Sequence, residues 1–275
     1  MNKYEHAEQS AKIFGGNAKD YLPIHEVIDS NKVVSSSIFG RFFMHHYDLG
    51  LPILQKIFGA TIKGTDTTVE DVLIQHLIED YEDVPTFTGY WLPNLEAGNK
   101  NLPKVNSERN FLRRISENPR TKELTATQIN EIDSFFRLET FTTEKDILNS
   151  SAAFAIFGHA LGADLAVRIL GEKFHGYWTS DIVVGYLGSR FDWDDKQRLP
   201  TPSLLDYEAA ITRRSWMFAP NREEKSRLGI AEIQKKIQDF KDGGRISKIE
   251  KDKFTSELSE TFFLDDFCDC DRYLD

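Results

Sequence analysis

Cysteine and long apolar runs are the two features that this chain most clearly lacks. Its 275 residues include only Cys268 and Cys270, too few for a disulfide framework. No run of about 18 apolar residues, the length needed to cross a bilayer, occurs. The first ten residues, MNKYEHAEQS, contain no apolar signal-peptide segment. We therefore expect a protein of the reducing cytoplasm without a membrane partner.

Positive charge is also scarce. Lys and Arg total 34 against 44 Asp and Glu, which gives a formal net charge of −10. Such an acidic chain is a poor candidate for binding nucleic acid through a broad basic face. Neither a Walker-type loop nor a G-x-G-x-x-G pattern occurs. The composition thus argues against a broad nucleic-acid surface and gives no sign of a nucleotide site.

The spacing of apolar residues predicts a mostly α fold with a smaller α+β part. VEDVLIQHLIEDY, residues 69–81, carries an apolar stripe at helical spacing, and residues 3–14 predict another helix before Gly15. Thr125 and Gln128 form a capping-box pattern. RLETFTTE, residues 137–144, is compatible with a strand. The 20 Phe, 9 Tyr and 4 Trp can build a substantial core.

Composition divides the chain into three parts. Residues 1–95 read as a helical, histidine-rich domain in which Gly50 and Pro52 are expected to interrupt helices. Residues 96–125 are rich in Asn, Pro and charge and predict a polar linker or arm. Residues 126–275 predict an α+β region that ends in a helical hairpin, with a helix capped by Ser226, and an acidic tail.

The stretch AFAIFGHALGADLAVRIL, residues 153–170, has the outline of a nucleophile elbow. Ala160 stands where a hydrolase carries its serine, and alanine has no atom that attacks a carbonyl. The preceding residues predict helices instead of a sheet, and the only later histidine is His175. We interpret ALGADLAVRIL as a packed helix, with a degenerate hydrolase as the alternative.

Histidine is concentrated in the first third of the chain. His25 has Asp29 four residues later and His76 has Asp80 four residues later, a spacing that puts each pair on one helix face. Imidazole and carboxylate groups are ligands for zinc, iron or manganese. The candidate metal ligands are His25, Asp29, His45, His46, His76 and Asp80. The alternative is that these histidines cap helices, join buried hydrogen bonds or lie in solvent.

The same region resembles an uncharacterised domain family of bacteria and their phages. The pattern that carries the resemblance is His6, Ser10, Phe14-Gly15-Gly16, Asp20-Tyr21, Ile24-His25, Asp29, Lys32, Arg41, His45-His46, Gly50, Phe58-Gly59, Gln75-His76, Glu79-Asp80 and Pro85-Thr86. Phe42 and Gln55 replace a histidine and a glutamate of the family pattern, and no acid precedes Trp91. The resemblance implies no activity, and the missing polar residues weaken a catalytic interpretation.

Two further features are candidates for contacting a partner protein. Arg113 and Arg114 lie in the predicted connector, and Trp193 lies among aspartates in RFDWDDKQR, residues 190–198. A solvated loop and an exposed turn are the simpler interpretations. Cys268 and Cys270 supply only two thiolates, which favours a flexible acidic tail over a metal site.

These observations lead to two hypotheses of function. The first is a non-enzymatic, oligomer-forming interaction protein of phage or mobile-element origin that engages a host protein complex, for example to inhibit a defence system. It follows from the acidic, aromatic-rich chain, the missing nucleophile and the incomplete polar pattern. The alternative is a metal-dependent hydrolase or phosphohydrolase with His25, Asp29, His76 and Asp80 as its catalytic candidates.

Overall fold

Helices dominate the structure, a computed structural model that describes residues 1–30, 44–91, 106–148, 152–157, 160–190 and 228–243. One two-stranded antiparallel sheet lies in the C-terminal half of these residues. The prediction of a mostly α fold with a smaller α+β part is therefore confirmed. Within the same ranges, every helix is too short or too polar to span a membrane.

Four helices and a short π-helical turn form the N-terminal part. They are α1 (Lys3–Phe14), α2 (Ala18–Ile28), α3 (Tyr47–Phe58), α4 (Val69–Tyr81) and the π-helical turn Phe87–Trp91. A turn around Gly64 connects α3 to α4, with an isolated bridge between Thr61 and Thr68. Helix α4 is the central element, because it contacts α1, α2 and α3.

The remaining elements are shorter helices and the hairpin. They are α5 (Glu108–Glu117), α6 (Ala126–Phe136), α7 (Lys145–Leu148), α8 (Ala152–Phe157), α9 (Ala160–Leu170), β1 (Lys173–Phe174), β2 (Tyr177–Trp178), α10 (Thr179–Arg190) and α11 (Ile230–Lys241). In the hairpin Lys173 pairs with Trp178 and Phe174 with Tyr177. His175 and Gly176 form its tip with positive φ angles of 50° and 87°.

Local capping signals explain where several helices begin. The Thr68 hydroxyl oxygen accepts a hydrogen bond from the Asp71 amide at the start of α4, and the Asp71 carboxylate accepts one from the Thr68 amide. The predicted capping box of Thr125 and Gln128 is confirmed at the start of α6. Such reciprocal bonds satisfy amide groups that have no partner within the helix.

The predicted interruption at Gly50 and Pro52 is wrong, because both residues lie inside α3. The Gly50 amide donates a hydrogen bond to His46 Nδ1 at 3.1 Å. A Cβ on Gly50 would lie 3.2 Å from the Met44 carbonyl oxygen, so the glycine permits a close approach of the chain. The capping contact and the packing of α3 on α4 thus outweigh the local preference of both residues.

The second half of the predicted polar connector is not an extended arm. Residues 108–117 form α5, which packs on α10 through the buried side chains of Phe111 and Ile115. The Arg190 guanidinium lies 4.5 Å from the Phe111 ring centroid and binds Glu108 at 2.9 Å. Two apolar residues four positions apart were enough to bury one face of an otherwise polar helix.

The nucleophile-elbow outline is not borne out by the described residues around it. Residues 152–157 form helix α8, whereas an elbow requires a strand there. ALGADLAVRIL forms α9 over the predicted range, beginning at Ala160. A Cβ on Gly162 would lie 2.4 Å from the Ile156 carbonyl oxygen, so the glycine permits a close approach of α8 and α9. Gly158 and His159 lie outside the described residues.

Three further expectations were wrong or fall partly outside the structure. Residues 137–141 form turns instead of the predicted strand, with Leu138 at a φ of +66°. Helix α11 begins after Gly229, not at Ser226, and it packs on α4 and α1 of the N-terminal part. Trp193, the second helix of the predicted hairpin and the cysteines of the tail lie outside the described residues.

Candidate metal centre

A buried group of polar side chains lies where α1, α2 and α4 meet. Each helix contributes residues four positions apart, and these share one face of the helix. Helix α1 contributes His6 and Ser10; α2 and its C-cap contribute His25 and Asp29; α4 contributes Gln75, His76, Glu79 and Asp80; and His45 precedes α3. We call this set the polar cluster. Its histidines are all fully buried.

The ring nitrogens of His45 and His76 converge with two carboxylates. His45 Nε2 and His76 Nε2 are 3.2 Å apart, and each lies 3.3 Å from Asp29 Oδ1. The same two nitrogens lie 3.3 Å and 3.6 Å from Asp80 Oδ2. Two triangles of ligand-type atoms therefore share the edge between the two histidines.

The distances between these nitrogen and oxygen atoms match those between the ligands of a small divalent ion. Ligands about 2.0–2.1 Å from a tetrahedral zinc ion lie about 3.3–3.4 Å from one another. Two histidines and one carboxylate on a single triangular face also describe the ligand set of many non-haem iron sites. Protonated histidines paired with the carboxylates would give similar distances, so the distances alone do not distinguish a cation from protons.

His6 is the fifth donor, and its geometry favours a cation. Its Nδ1 lies 2.6 Å from Glu79 Oε2, so a neutral His6 that donates this bond leaves Nε2 without hydrogen. Nε2 lies 3.3 Å from Asp80 Oδ1 but has no hydrogen-bond partner among the described residues. Ligand atoms of His6, Asp29, His76 and Asp80 all lie within 4.8 Å of one another. A buried lone pair aimed at this group is what a metal ligand requires.

Burial of the acids adds an electrostatic argument. Asp29 and Glu79 are only 3% and 7% exposed, and the Asp80 side chain is 2% exposed. Moving a carboxylate out of water is costly unless a positive charge or hydrogen bonds compensate it. Glu79 Oε1 has no hydrogen-bond partner within the described ranges. The Met1 ammonium, 3.6 Å from Asp80 Oδ1, compensates part of this negative charge. Three acids in this small volume still favour a bound cation for the remainder.

His25 lies behind His76 and not in the two triangles. Its Nδ1 is 2.9 Å from His76 Nδ1, and its Nε2 is 2.8 Å from the Ser10 hydroxyl. His6, His25 and His76 also have ring nitrogens within 4.8 Å, so a three-histidine site is a second arrangement. Since both ring nitrogens of His25 lie at hydrogen-bond distance from other groups, we assign it to the layer that supports His76.

His46, another predicted ligand, lies outside the polar cluster. It caps α3, where its Nδ1 accepts the Gly50 amide, and its ring meets Phe87 edge-on at 5.2 Å. Its backbone is extended, with φ −151° and ψ 149°. Successive side chains of extended backbone point to opposite sides, which separates His45 from His46.

The arginines predicted to hold a partner lie far along the chain, on α5. Arg113 is exposed and forms an i,i+4 ion pair with Glu117 at 2.9 Å. Arg114 is half-buried on the same helix. An exposed pair of this kind contributes little to stability. Its geometry favours a solvated helix face and identifies no partner.

Sequence reasoning about metal ligands missed four members of the polar cluster: His6, Ser10, Gln75 and Glu79. Their signal was helical spacing, because His6 and Ser10, like Gln75 and Glu79, are four residues apart. The family-like pattern also contained all four. The substituted position Gln55 is exposed on α3, away from the cluster, so that departure leaves the candidate site intact. Phe42 lies outside the described residues.

Comparison with known proteins agrees with the resemblance of the N-terminal third. Residues 1–98 match a family model described as Domain of unknown function (DUF6915). No curated protein and no solved structure matches the chain. Every residue of the polar cluster lies within the matched segment. The cluster is therefore a property of this segment and not of the remaining two-thirds.

Proposed function

We propose that the N-terminal helices hold a divalent zinc, iron or manganese ion and that this ion supports a hydrolytic reaction. The observation that carries the proposal is the triangle of His45 Nε2, His76 Nε2 and Asp29 Oδ1, with edges of 3.2, 3.3 and 3.3 Å. Imidazole and carboxylate donors suit borderline divalent ions and disfavour soft ones. Asp80 and His6 are the further donors.

The hydrolytic part rests on the number and kind of donors. Three protein ligands around zinc leave a position for water, whose pKa falls to about 7 on binding. Asp80 lies beside the triangle, 3.3 Å from His45 Nε2. If the ion is bound, Asp80 would serve there either as a fourth ligand or as the group that accepts a proton from water. Esters and phosphoesters are the substrates to test first, because the ion would supply activation of water for attack on either class.

Metal analysis of the purified full-length chain tests the first part. We expect about one equivalent of zinc, iron or manganese per chain by plasma mass spectrometry, and its loss in H45A and H76A. The matched control is H175A, because His175 is a half-exposed histidine that binds Glu131 at the hairpin tip. Equal metal content in H76A and H175A, or no metal after reconstitution of the wild type, would refute the proposal.

A second experiment separates metal binding from hydrolysis. The reconstituted protein is assayed with aryl ester and aryl phosphate substrates before and after chelation. We expect turnover only with metal, and its loss in D80N. Stoichiometric metal without turnover of either substrate class would leave a structural metal centre and exclude the hydrolytic part for these substrates.

The interaction hypothesis remains a prediction from the sequence. It includes an oligomer, a host protein complex, a phage or mobile-element origin and a cytoplasmic location. The large exposed apolar side chains Tyr4, Leu112, Trp178 and Ile230 lie on four different elements. Single exposed apolar residues are normal on soluble proteins, so they favour no particular surface. Light scattering on a sizing column tests the oligomer, and a monomer at micromolar concentration would count against it.

A further inference from the structure

We infer that Gln75, Ser10 and His25 form a hydrogen-bond chain that fixes the tautomer of His76, leaving its Nε2 free of hydrogen and aimed at Asp29 and Asp80. These three are positioning residues, since they act on the candidate ligand through other groups. The consequence for metal affinity rests on the proposed function, whereas the tautomer does not.

Gln75 sets the direction of the chain. Its side-chain nitrogen lies 3.3 Å from the His6 carbonyl oxygen, and its side-chain oxygen lies 2.5 Å from the Ser10 hydroxyl. A carbonyl oxygen only accepts, so the amide must present NH₂ to His6 and oxygen to Ser10. The orientation follows from the partners, as amide assignments in proteins generally do.

Ser10 determines which ring nitrogen of His25 carries the hydrogen. The Ser10 hydroxyl has one hydrogen, and the short contact with a pure acceptor requires that it be donated to Gln75. The hydroxyl also lies 3.1 Å from the His6 carbonyl oxygen, which is a longer and weaker acceptor for the same hydrogen. The Ser10 oxygen must then accept from His25 Nε2, 2.8 Å away. His25 therefore carries its hydrogen on Nε2.

His25 in turn determines His76. A neutral His25 protonated on Nε2 has a lone pair on Nδ1, which lies 2.9 Å from His76 Nδ1. Two ring nitrogens at this distance share one hydrogen, so His76 carries it on Nδ1. His76 Nε2 then has a lone pair, 3.3 Å from Asp29 Oδ1 and 3.2 Å from His45 Nε2. This is the tautomer that a ligand through Nε2 requires.

Such supporting hydrogen bonds orient ligating histidines and fix their tautomers in metal sites. Here the support comes from another histidine held by a serine, all of it buried. The stacking of His76 on His6, with ring centroids 3.9 Å apart, further limits rotation of the ring. Removing the Ser10 hydroxyl should free His25 to exchange its hydrogen between nitrogens. His76 would then populate both tautomers.

The test measures the tautomer and the metal affinity separately. In the metal-free full-length protein, two-bond ¹H–¹⁵N spectra of labelled histidine report which nitrogen carries hydrogen. We expect His76 to be protonated on Nδ1 in the wild type and mixed in S10A. Zinc affinity, measured by competition with a chelator, should fall about 10- to 100-fold in S10A with unchanged stoichiometry.

Three further variants control for a structural effect. S10T retains the hydroxyl and should restore both readouts. S116A removes an exposed serine hydroxyl that also bonds a backbone carbonyl one turn back, and it should match the wild type. If S10A does not fold, Q75M removes the same acceptor and is expected to produce the same change in tautomer.

The outcomes separate this inference from the proposed function. Wild-type His76 protonated on Nε2, or S10A with an unchanged tautomer and zinc affinity within about twofold of the wild type, would overturn the inference. The expected tautomer in a protein that binds no zinc, iron or manganese would support the hydrogen-bond chain and refute the metal centre.

Discussion

The two halves of the molecule use helices to enclose very different interiors. Residues 1–91 bury five histidines together with Asp29 and Glu79. Residues 106–190 instead bury packed aromatic rings, namely Phe111, Phe135, Phe136, Phe157 and Tyr186. Buried ionic groups can often be replaced by well-packed apolar residues without loss of stability. Stability alone therefore explains the aromatic interior of residues 106–190, but it does not explain the buried histidines and acids of residues 1–91.

Truncation of an aromatic ring should give the largest change in stability. We expect this change to be limited to the aromatic interior of residues 106–190. Phe136 stacks on Tyr186 at 4.6 Å and meets Phe157 edge-on at 5.3 Å. F136A should lower the free energy of unfolding of this part by about 3–5 kcal/mol. Hydrogen exchange should show lost protection in α6, α8 and α10 with metal content unchanged. Equal loss in α1, α2 and α4 would show that the two interiors are one cooperative unit.

Metal addition should stabilise the histidine-rich interior of residues 1–91. At a free metal concentration of 100 times Kd, the folded state gains about 2.7 kcal/mol. Calorimetry on the metal-free protein, with and without zinc, should show the melting transition of the N-terminal helices rise. H46A should retain this shift because His46 is a helix cap, whereas H76A should lose it. A shift that survives in H76A would place the metal elsewhere.

A pair of glycines sharpens the comparison within the aromatic half. A Cβ on Gly162 would meet backbone atoms of Phe157 at 2.4 Å, whereas a Cβ on Gly188 would meet nothing within 4 Å. G162A should therefore lose about 1–3 kcal/mol from crowding. G188A should gain about 0.5–1 kcal/mol, because alanine restricts the unfolded chain and favours the helix. Urea denaturation measures both, and equal effects would contradict the close approach of α8 and α9.

The smallest expected change in stability concerns the contact of α11 with the N-terminal part. Lys241 binds Asp71 at the first turn of α4. Burial opposes ionisation of Asp71, but hydrogen bonds from Lys241 and Thr68 outweigh it and hold the pKa below its ordinary value. The stabilisation is thus complete above the unfolded-state pKa of about 3.9 and is lost as the pH falls through the lower folded-state pKa.

D71N should flatten this acid-dependent part of the stability curve, with a loss below about 1 kcal/mol at neutral pH because the pair is partly exposed. Thermal melts between about pH 2 and 6 measure it. The control is D239N, since Asp239 lies on the exposed side of α11. Identical curves for wild type and D71N would exclude the ion pair as a determinant of docking.

Much of the helical framework could be predicted from apolar spacing and caps. Helix α4 and the capping box of α6 have strong local signals, and both have the predicted bounds or cap. Helix α5 was missed because its two buried residues lie in a strongly polar segment, where contact with α10 decides the outcome. The interruption expected at Gly50 failed for the same reason, since tertiary contacts override a weak local preference.

The candidate site could be predicted in kind but not in arrangement. Spacing alone paired His25 with Asp29 and His76 with Asp80. It could not tell that His25 faces Ser10 and the back of His76, because that depends on how α1 and α2 cross α4. It also could not separate His45 from His46, whose opposite directions follow from an extended backbone at one position.

Helix α11 has a consequence for the order of folding. Lys236 donates to the Glu82 carbonyl oxygen across 154 residues, and Gln234 donates to Ile13 across 221. Closing loops of this length is slow and entropically costly, whereas the helices of the polar cluster lie within the first 81 residues. On the ribosome these helices emerge before α11 and can assemble as a unit. We therefore expect their assembly to precede the docking of α11 on α4.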